Sequence, residues 1–333
     1  MQSTEESLTP DEISEKLEGT PVSAAKLEEA KKEILSKKRH LVAKNMSIGI
    51  VGYGYVGKAT SLLGCENVRV LIHDVKEVKE EDFTDSNSIY CPDISELKNA
   101  NLIFVSVPTP MEKSGRCHTG IVESVIQKLK DNVGDVPIIV RSTVPVGFCR
   151  EHGVNFMPEF LTEKNWVEDI RQSKDWVVGT YDPNNLDFKE KVSLLLKLAF
   201  KNEKLLNPPV VHFAPSDAAE MCKDMKNCFL ATKVSFFNEL EEFCTKRGVS
   251  YELVRELVCL DDRVAESHTM VPGPDGKRGF GGTCFPKDME ALLAQMVEVG
   301  MTSYIIDAAI TRNLEVDRVE RDWEEDKGRA VVE

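Results

Sequence analysis

What the chain lacks narrows its class before any motif is read. No apolar run in its 333 residues is long enough for a membrane-spanning helix. The opening residues MQSTEESLTP carry neither the basic block nor the apolar block of a secretion signal. Nine cysteines are scattered without paired spacing, so neither a disulfide framework nor a zinc site is expected, and their number suits a reducing compartment. No stretch interleaves basic residues with aromatics, and a net charge of −14 opposes a nucleic-acid footprint. Internal repeats and low-complexity tracts are missing too. These absences predict a cytoplasmic protein without membrane, nucleic-acid or metal partners. A small anionic ligand stays open to it, because local cations and backbone N–H groups matter more than total charge.

What is present suits two domains: 41% hydrophobic and 29% charged residues are ordinary for a soluble chain of this length. Residues 1–45 are polar and without aromatics, with room for an exposed helix near 24–35. From Ser47 short apolar runs alternate with helical periods: SIGIV, VRVLIHD, LIFVSV, VPIIVRS, VNFM, DWVVGT and PVVHF, with helices near 121–129 and 186–198. That alternation predicts an α/β fold, a Rossmann-type doubly wound parallel sheet over 46–214. After Phe213 the strand signals stop. Ser216 reads as the N-cap of a long helix ended by Gly248, and further helices near 251–259, 288–299 and 303–319 give an all-helical domain over 215–320. A charged tail, 321–333, follows.

Two motifs carry chemistry. Gly52, Gly54 and Gly57 in IGIVGYGYVG are spaced G-x-G-x-x-G between a strand and a helix, with Tyr55 and Val56 inside the turn. Such glycines serve the tight turn, the approach of a pyrophosphate and close helix–strand packing. Asp74 ends the second strand 22 residues after Gly52, where a carboxylate accepts the ribose hydroxyls and repels a 2′-phosphate, so NAD is favoured over NADP. Lys76 leaves some room for NADP. The alternative is a glycine turn with an incidental aspartate.

The second motif is GFGGTCFPKD, 279–288. Gly279, Gly281 and Gly282 allow close approach of a substrate, and Pro286 suits the first position of a helix. Cys284 then lies at the positive end of that helix beside Lys287, and both favour thiolate over thiol. Asp288, four residues on, faces the same side. The competing reading is a small buried apolar cysteine. Elsewhere Lys223 and Asn227 stand one turn apart on the long helix, where a cation and an amide donor could converge on an oxyanion; taken alone, Lys223 reads as a surface lysine. Glu159 and Glu163 are a carboxylate pair able to divide proton transfer, the alternative being a solvated loop acid, for Glu163 more than for Glu159.

With these motifs in this order the chain resembles the nucleotide-sugar 6-dehydrogenases, the UDP-glucose/GDP-mannose group. VPTP (107–110), RSTVPVG (141–147), PEFLTE (158–163) and AEMCKDMKN (219–227) also resemble that family's segments. The resemblance implies oxidation of a primary alcohol to a carboxylate with two NAD⁺, through a thiohemiacetal and thioester on Cys284. It implies catalytic roles for Lys223, Asn227, Asp288, Glu159 and Thr143. It implies NAD contacts from Thr109, Thr143, Glu163 and Lys287 besides the glycine turn with Tyr55 and Val56. The sugar would meet Glu159, Phe160, Leu161, Lys223, Asn227 and Gly281. Arg263 resembles the arginine that reaches a neighbouring subunit's substrate, which implies a homodimer through the helical domain.

Two departures accompany the resemblance. The chain ends thirteen residues after Glu320, too short for the third, nucleotide-holding domain that the family implies. The loop PGPDGKRGFGG carries the extra charges Lys277 and Arg278, read either as phosphate contacts or as a solvated tip. Two rivals remain at this level: a single-hydride β-hydroxyacid-type dehydrogenase, and a truncated nucleotide-binding protein without turnover.

Overall fold

The computed structural model describes residues 45–84, 87–162 and 164–332. The helix expected near 24–35 and Glu163 lie outside the described residues. From Met46 the chain forms β1 (Met46–Val51), α1 (Tyr55–Ser61), β2 (Val68–His73), β3 (Ser88–Tyr90), β4 (Leu102–Val105), α2 (Gly120–Val133), β5 (Ile138–Val140), α3 (Phe148–Glu151), β6 (Asn155–Phe156), α4 (Trp166–Gln172), β7 (Asp175–Thr180), α5 (Leu186–Lys201) and β8 (Val210–Pro215). The eight strands form one sheet in the order β3-β2-β1-β4-β5-β6-β7-β8.

Both faces of this sheet are covered, which is why its central strands read as unbroken apolar runs. Along β4, Leu102 and Phe104 enter the core on one face with Ile48, Ile50 and Phe188. Ile103 and Val105 enter the other, against Val122, Ile126 and Leu129 of α2. β1 pairs in parallel with β2 on one side and β4 on the other, so the strand order reverses there. The carboxyl ends of these strands open the crevice in which a doubly wound sheet binds its ligand.

Three local expectations need correction. β3 was not foreseen, since a three-residue strand carries too little pattern to register. β6 and β7 run antiparallel, paired at Phe156 and Gly179, and β8 pairs in parallel with β7, so the last two strands run against the rest of the sheet. Ser216 is the first residue of its helix rather than the cap; Pro215 takes the cap position, and the Ser216 hydroxyl turns to Asp217 instead of the backbone.

The helical part begins with α6 (Ser216–Arg247), closed by Gly248 in the left-handed conformation. α7 (Tyr251–Val258), α8 (Phe285–Glu298) and α9 (Ile305–Arg312) follow. Cys228, Ala231, Phe280, Met289, Leu292, Ala309 and Ile310 make their core. α9 is shorter than its periodicity predicts. Asn313 leaves the helix in a wider turn, and its amide bonds both backbone groups of Phe280, accepting from N at 2.8 Å and donating to O at 2.9 Å.

The charged tail has structure of its own. Met111 N donates to Ala330 O at 2.8 Å and Val332 N to Met111 O at 3.0 Å, so the segment runs beside the loop after β4. Trp323 and Ala330 are buried. Lys277 pairs with Asp322 at 2.7 Å, and Arg278 pairs with Glu241 and Asp317. The loop 273–282 therefore fixes the tail and α6 with its two extra cations, which is neither of the two roles the sequence suggested.

Candidate active site

A cleft of about 1060 Å³ runs from Asp74 to Cys284 along the carboxyl ends of β1, β2 and β4. At its first end the turn Gly52–Gly57 joins β1 to α1. Gly52 has φ +88°, and a Cβ there would lie 2.6 Å from Ser106 O; a Cβ on Gly57 would lie 2.0 Å from Gly52 O. A Cβ on Gly54 would meet nothing within 4 Å. Two glycines thus exist for packing, and the third presents bare backbone to the cleft at the N-terminus of α1, a place suited to a pyrophosphate. Asp74 accepts from Tyr53 N at 2.7 Å and from Lys76 N at 2.9 Å, which holds its carboxylate at the end of β2 where a ribose would lie. These residues fit a dinucleotide. Tyr55, Val56, Thr109 and Thr143 also line the cleft.

At the other end Cys284 is the N-cap of α8, half-buried, with Pro286 in its first turn. The Tyr55 hydroxyl lies 3.6 Å from Cys284 Sγ, so the dinucleotide turn and the cysteine turn share one boundary. Behind the sulfur stand two buried ammonium groups. Lys223, 2% exposed, is 3.4 Å from Glu159 Oε2 and donates to Glu159 O at 3.2 Å. Lys287 donates to Asp288 Oδ1 at 2.5 Å. Asn227 Nδ2 donates to the other oxygen, Asp288 Oδ2, at 2.6 Å.

The electrostatics follow from this pairing. Burial by itself pulls Lys223 down, but the carboxylates of Glu159 and Asp288 outweigh it and its pKa ends above the ordinary lysine value. Lys287 behaves likewise, with burial opposed chiefly by Asp288. Burial pushes Asp288 up, yet Lys287 and Lys223 together hold it below the usual carboxylate range. All three stay charged at neutral pH, and Cys284 is among the groups interacting with both lysines. Such a site can hold negative charge at the sulfur and at an oxygen formed next to it.

The neighbouring segments are held by α6. Glu220, fully buried, accepts from Gly147 N at 2.7 Å and Cys149 N at 2.8 Å and so fixes RSTVPVG, the segment carrying Thr143. Arg141, 4% exposed, donates to Thr60 Oγ1 at 2.7 Å and lines the cleft between its two ends. Leu161 N donates to Glu159, and Lys226 covers the Phe160 ring at 3.9 Å. Gly281 is filled from within: a Cβ there would lie 2.3 Å from Arg318 Cζ. Arg263 stands apart, its side chain 89% exposed and paired with Asp261.

Sequence reasoning missed several of these features. It assigned Tyr55 to the cofactor alone, although the same hydroxyl reaches the sulfur. It gave Arg141 no role, because a basic residue at a strand end carries no spacing signal. It did not foresee that Gly328, Arg329 and Val332 of the tail border the cleft.

Comparison with known proteins agrees with this geometry. Residues 90–195 match the UDP-glucose/GDP-mannose dehydrogenase family, NAD binding domain, and residues 217–315 match the central domain of the same family. The chain is 30% identical over 331 residues to the UDP-glucose 6-dehydrogenase of Rickettsia bellii, covering 86% of this chain and 72% of that one. It is 28% identical over 306 residues to the UDP-glucose 6-dehydrogenase TuaD of Bacillus subtilis, covering 80% of this chain and 62% of that relative. Among solved structures, a UDP-glucose dehydrogenase from the archaeon Pyrobaculum islandicum superposes with a TM-score of 0.69 at 24% identity, over 81% of this chain and 68% of that one. Cleft, cysteine turn and matched segments lead to one statement: the chain belongs to the UDP-glucose/GDP-mannose dehydrogenase family, and the dinucleotide its glycine turn accepts is NAD.

Proposed function

We propose that the protein oxidises the primary alcohol of a nucleotide sugar to a carboxylate, UDP-glucose to UDP-glucuronate being the expected case, through a covalent intermediate on Cys284. NAD⁺, when bound, supplies the hydride acceptor, and two equivalents are consumed because the change from alcohol to carboxylate removes four electrons. The observation that carries this reading is the position of Cys284 Sγ at the end of the dinucleotide cleft, 3.6 Å from the Tyr55 hydroxyl.

Each neighbour has a task in it. Cys284 adds to the aldehyde carbon, and the resulting thiohemiacetal keeps that carbon from leaving before its second oxidation to a thioester. Lys223 and Asn227, converging from one face of α6, stabilise the thiohemiacetal oxyanion. Asp288, charged and held by Lys287 and Asn227, and Glu159, next to Lys223, are the groups to position water and take its proton when the thioester is hydrolysed. Thr143 and Lys287 face the cofactor, while Phe160, Leu161 and the Gly281 backbone border the sugar.

A homodimer belongs to the same proposal. On α6 the side chains of Met225, Phe229, Phe236 and Phe243 are each more than half exposed, and a second copy of this helix would cover that row. Arg263, extended into solvent, would then reach the neighbouring subunit's site. The division at residue 214 into a cofactor domain and a helical domain is part of this reading.

The test is stoichiometry. Incubation with UDP-glucose, GDP-mannose or a UDP-N-acetyl sugar should give two NADH per acid formed with one of them. One NADH per product would support a single-hydride dehydrogenase, and none, despite measurable NAD binding, a binding protein.

A further inference from the structure

Asp224 is the buried carboxyl that the proposed mechanism leaves unused. It lies on the inward face of α6 between Glu220 and Cys228, immediately after Lys223, and is 3% exposed. Among the described residues its Oδ2 atom has no hydrogen-bond partner. The Gln295 side chain from α8 lies near the carboxyl, but its Oε1 accepts from Val146 N at 2.9 Å and its Nε2 donates to Ala291 O at 3.3 Å, so it is already tied to the segment after Thr143 and to its own helix. A carboxylate in this position would be a buried anion with half of its acceptor capacity empty, which is costly. A neutral carboxyl has a proton in place of the missing donor.

We propose that Asp224 is a positioning residue that carries a proton below neutral pH and, while uncharged, leaves the ammonium groups of Lys223 and Lys287 to the anions of the catalytic site. Two cations face Glu159, Asp288 and the negative charge that develops at Cys284. A further anion below them would compete for the same ammonium groups. The groups around Asp224 are Lys223 and Cys228 on its own helix, Lys287, Asp288 and Gln295 on α8, and Cys117 from the loop after β4. Burial, then repulsion from Asp288, raises its pKa to about 7, with Lys223, Lys287 and Gln295 pulling it back. The proton is therefore exchangeable within the range where the enzyme would work.

The inference rests on the proposed function only for its effect on catalysis; the proton on Asp224 is testable without any substrate. Its folded pKa lies above its unfolded value, so its contribution to stability is complete below the unfolded value, near 4, and is lost as pH rises towards 7. Asp224→Asn keeps the shape and removes the titration, and Asp224→Leu serves if the amide does not fold. Infrared difference spectra of the wild-type protein between pH 6 and pH 8 should show a protonated-carboxyl band that either variant lacks. The melting temperature of Asp224→Asn relative to wild type should rise between pH 5 and pH 8. In turnover, the wild type should show a several-fold decline with a midpoint near pH 7 that the variant does not. A band unchanged by substitution, with a melting-temperature difference equal at both pH values, would overturn the protonated Asp224. An intact band with no difference in the turnover profiles would overturn its link to the lysines. A protein inactive with every nucleotide sugar would remove the proposed function and leave the spectroscopic and melting results to decide the proton.

Discussion

Two glycine turns meet in this cleft, each standing before the N-terminus of a helix, and they use their glycines alike in number but differently in purpose. In the first, Gly52 and Gly57 are pressed against Ser106 O and against each other, and Gly54 faces open space. In the second, Gly279 and Gly281 are filled by Asn313 and Arg318, and Gly282, with φ +72°, faces open space. Each turn therefore has two glycines whose Cβ position is taken by packing and one that faces open space. The first packs against its own sheet and so is complete within the Rossmann part. The second packs against residues 313–318, which the tail and the Lys277 and Arg318 ion pairs hold in place. The cofactor turn is completed inside its own sheet, by Ser106 at the end of β4, and the nucleophile turn by the segment after α9 that the tail holds.

Predictions that test this contrast run from large to small. Cys284→Ser should cut acid formation by ~10⁴-fold while leaving NAD affinity, read by titration, within a factor of two or so, since a nucleophile acts as part of a unit. A loss of NAD binding would show that the two turns are not separable. Gly57→Ala should destabilise the fold by about 3 kcal/mol in denaturant unfolding, because its Cβ has no room beside Gly52 O. Unchanged stability would mean that the turn yields more easily than its packing implies. Asp74→Ala should weaken NAD binding by about 1–3 kcal/mol without changing the melting temperature by a comparable amount. Equal affinity would place the ribose elsewhere.

The smallest effect concerns the support of the second turn. Hydrogen bonds from Arg318 first, with Lys277 adding to them, hold Asp322 well below the usual carboxylate range. A depressed carboxylate contributes stability that is present above its unfolded value, near 4, and lost as pH falls through its folded value. Asp322→Asn should then cost about 1 kcal/mol at pH 7 and progressively less below pH 4, measured by thermal unfolding. A deficit that does not shrink in acid would mean that the ion pairs are not what anchors the tail.

The fold was legible where the sequence pattern is long. Central strands such as LIFV are apolar throughout because both faces are covered, and the G-x-G-x-x-G turn with Asp74 announces itself through spacing. Much of the candidate site was legible for the same reason: Lys223 with Asn227, and Cys284 with Asp288, each lie one turn apart on a single helix. Pairings made across the fold were not. Nothing local in Lys277 or Arg278 reveals that their partners are Asp322, Glu241 and Asp317, and nothing in Gly281 reveals that Arg318 fills it. The tail read only as a run of charge because its anchors, two backbone bonds to Met111, one buried tryptophan and the ion pair of Asp322 with Lys277, are all made with distant residues. Asp224 was passed over since a lone acid on a polar-looking helix carries no periodic signal.

The account depends most on the bond between Cys284 and the substrate carbon. Mass spectrometry of the protein quenched during turnover with NAD⁺ and UDP-glucose, with Asp288→Asn used to slow hydrolysis, tests it most directly. The prediction is a nucleotide-sugar acyl adduct on the peptide containing Cys284, absent from Cys284→Ser. Steady formation of acid with no adduct on that peptide, or an adduct on another cysteine, would contradict it.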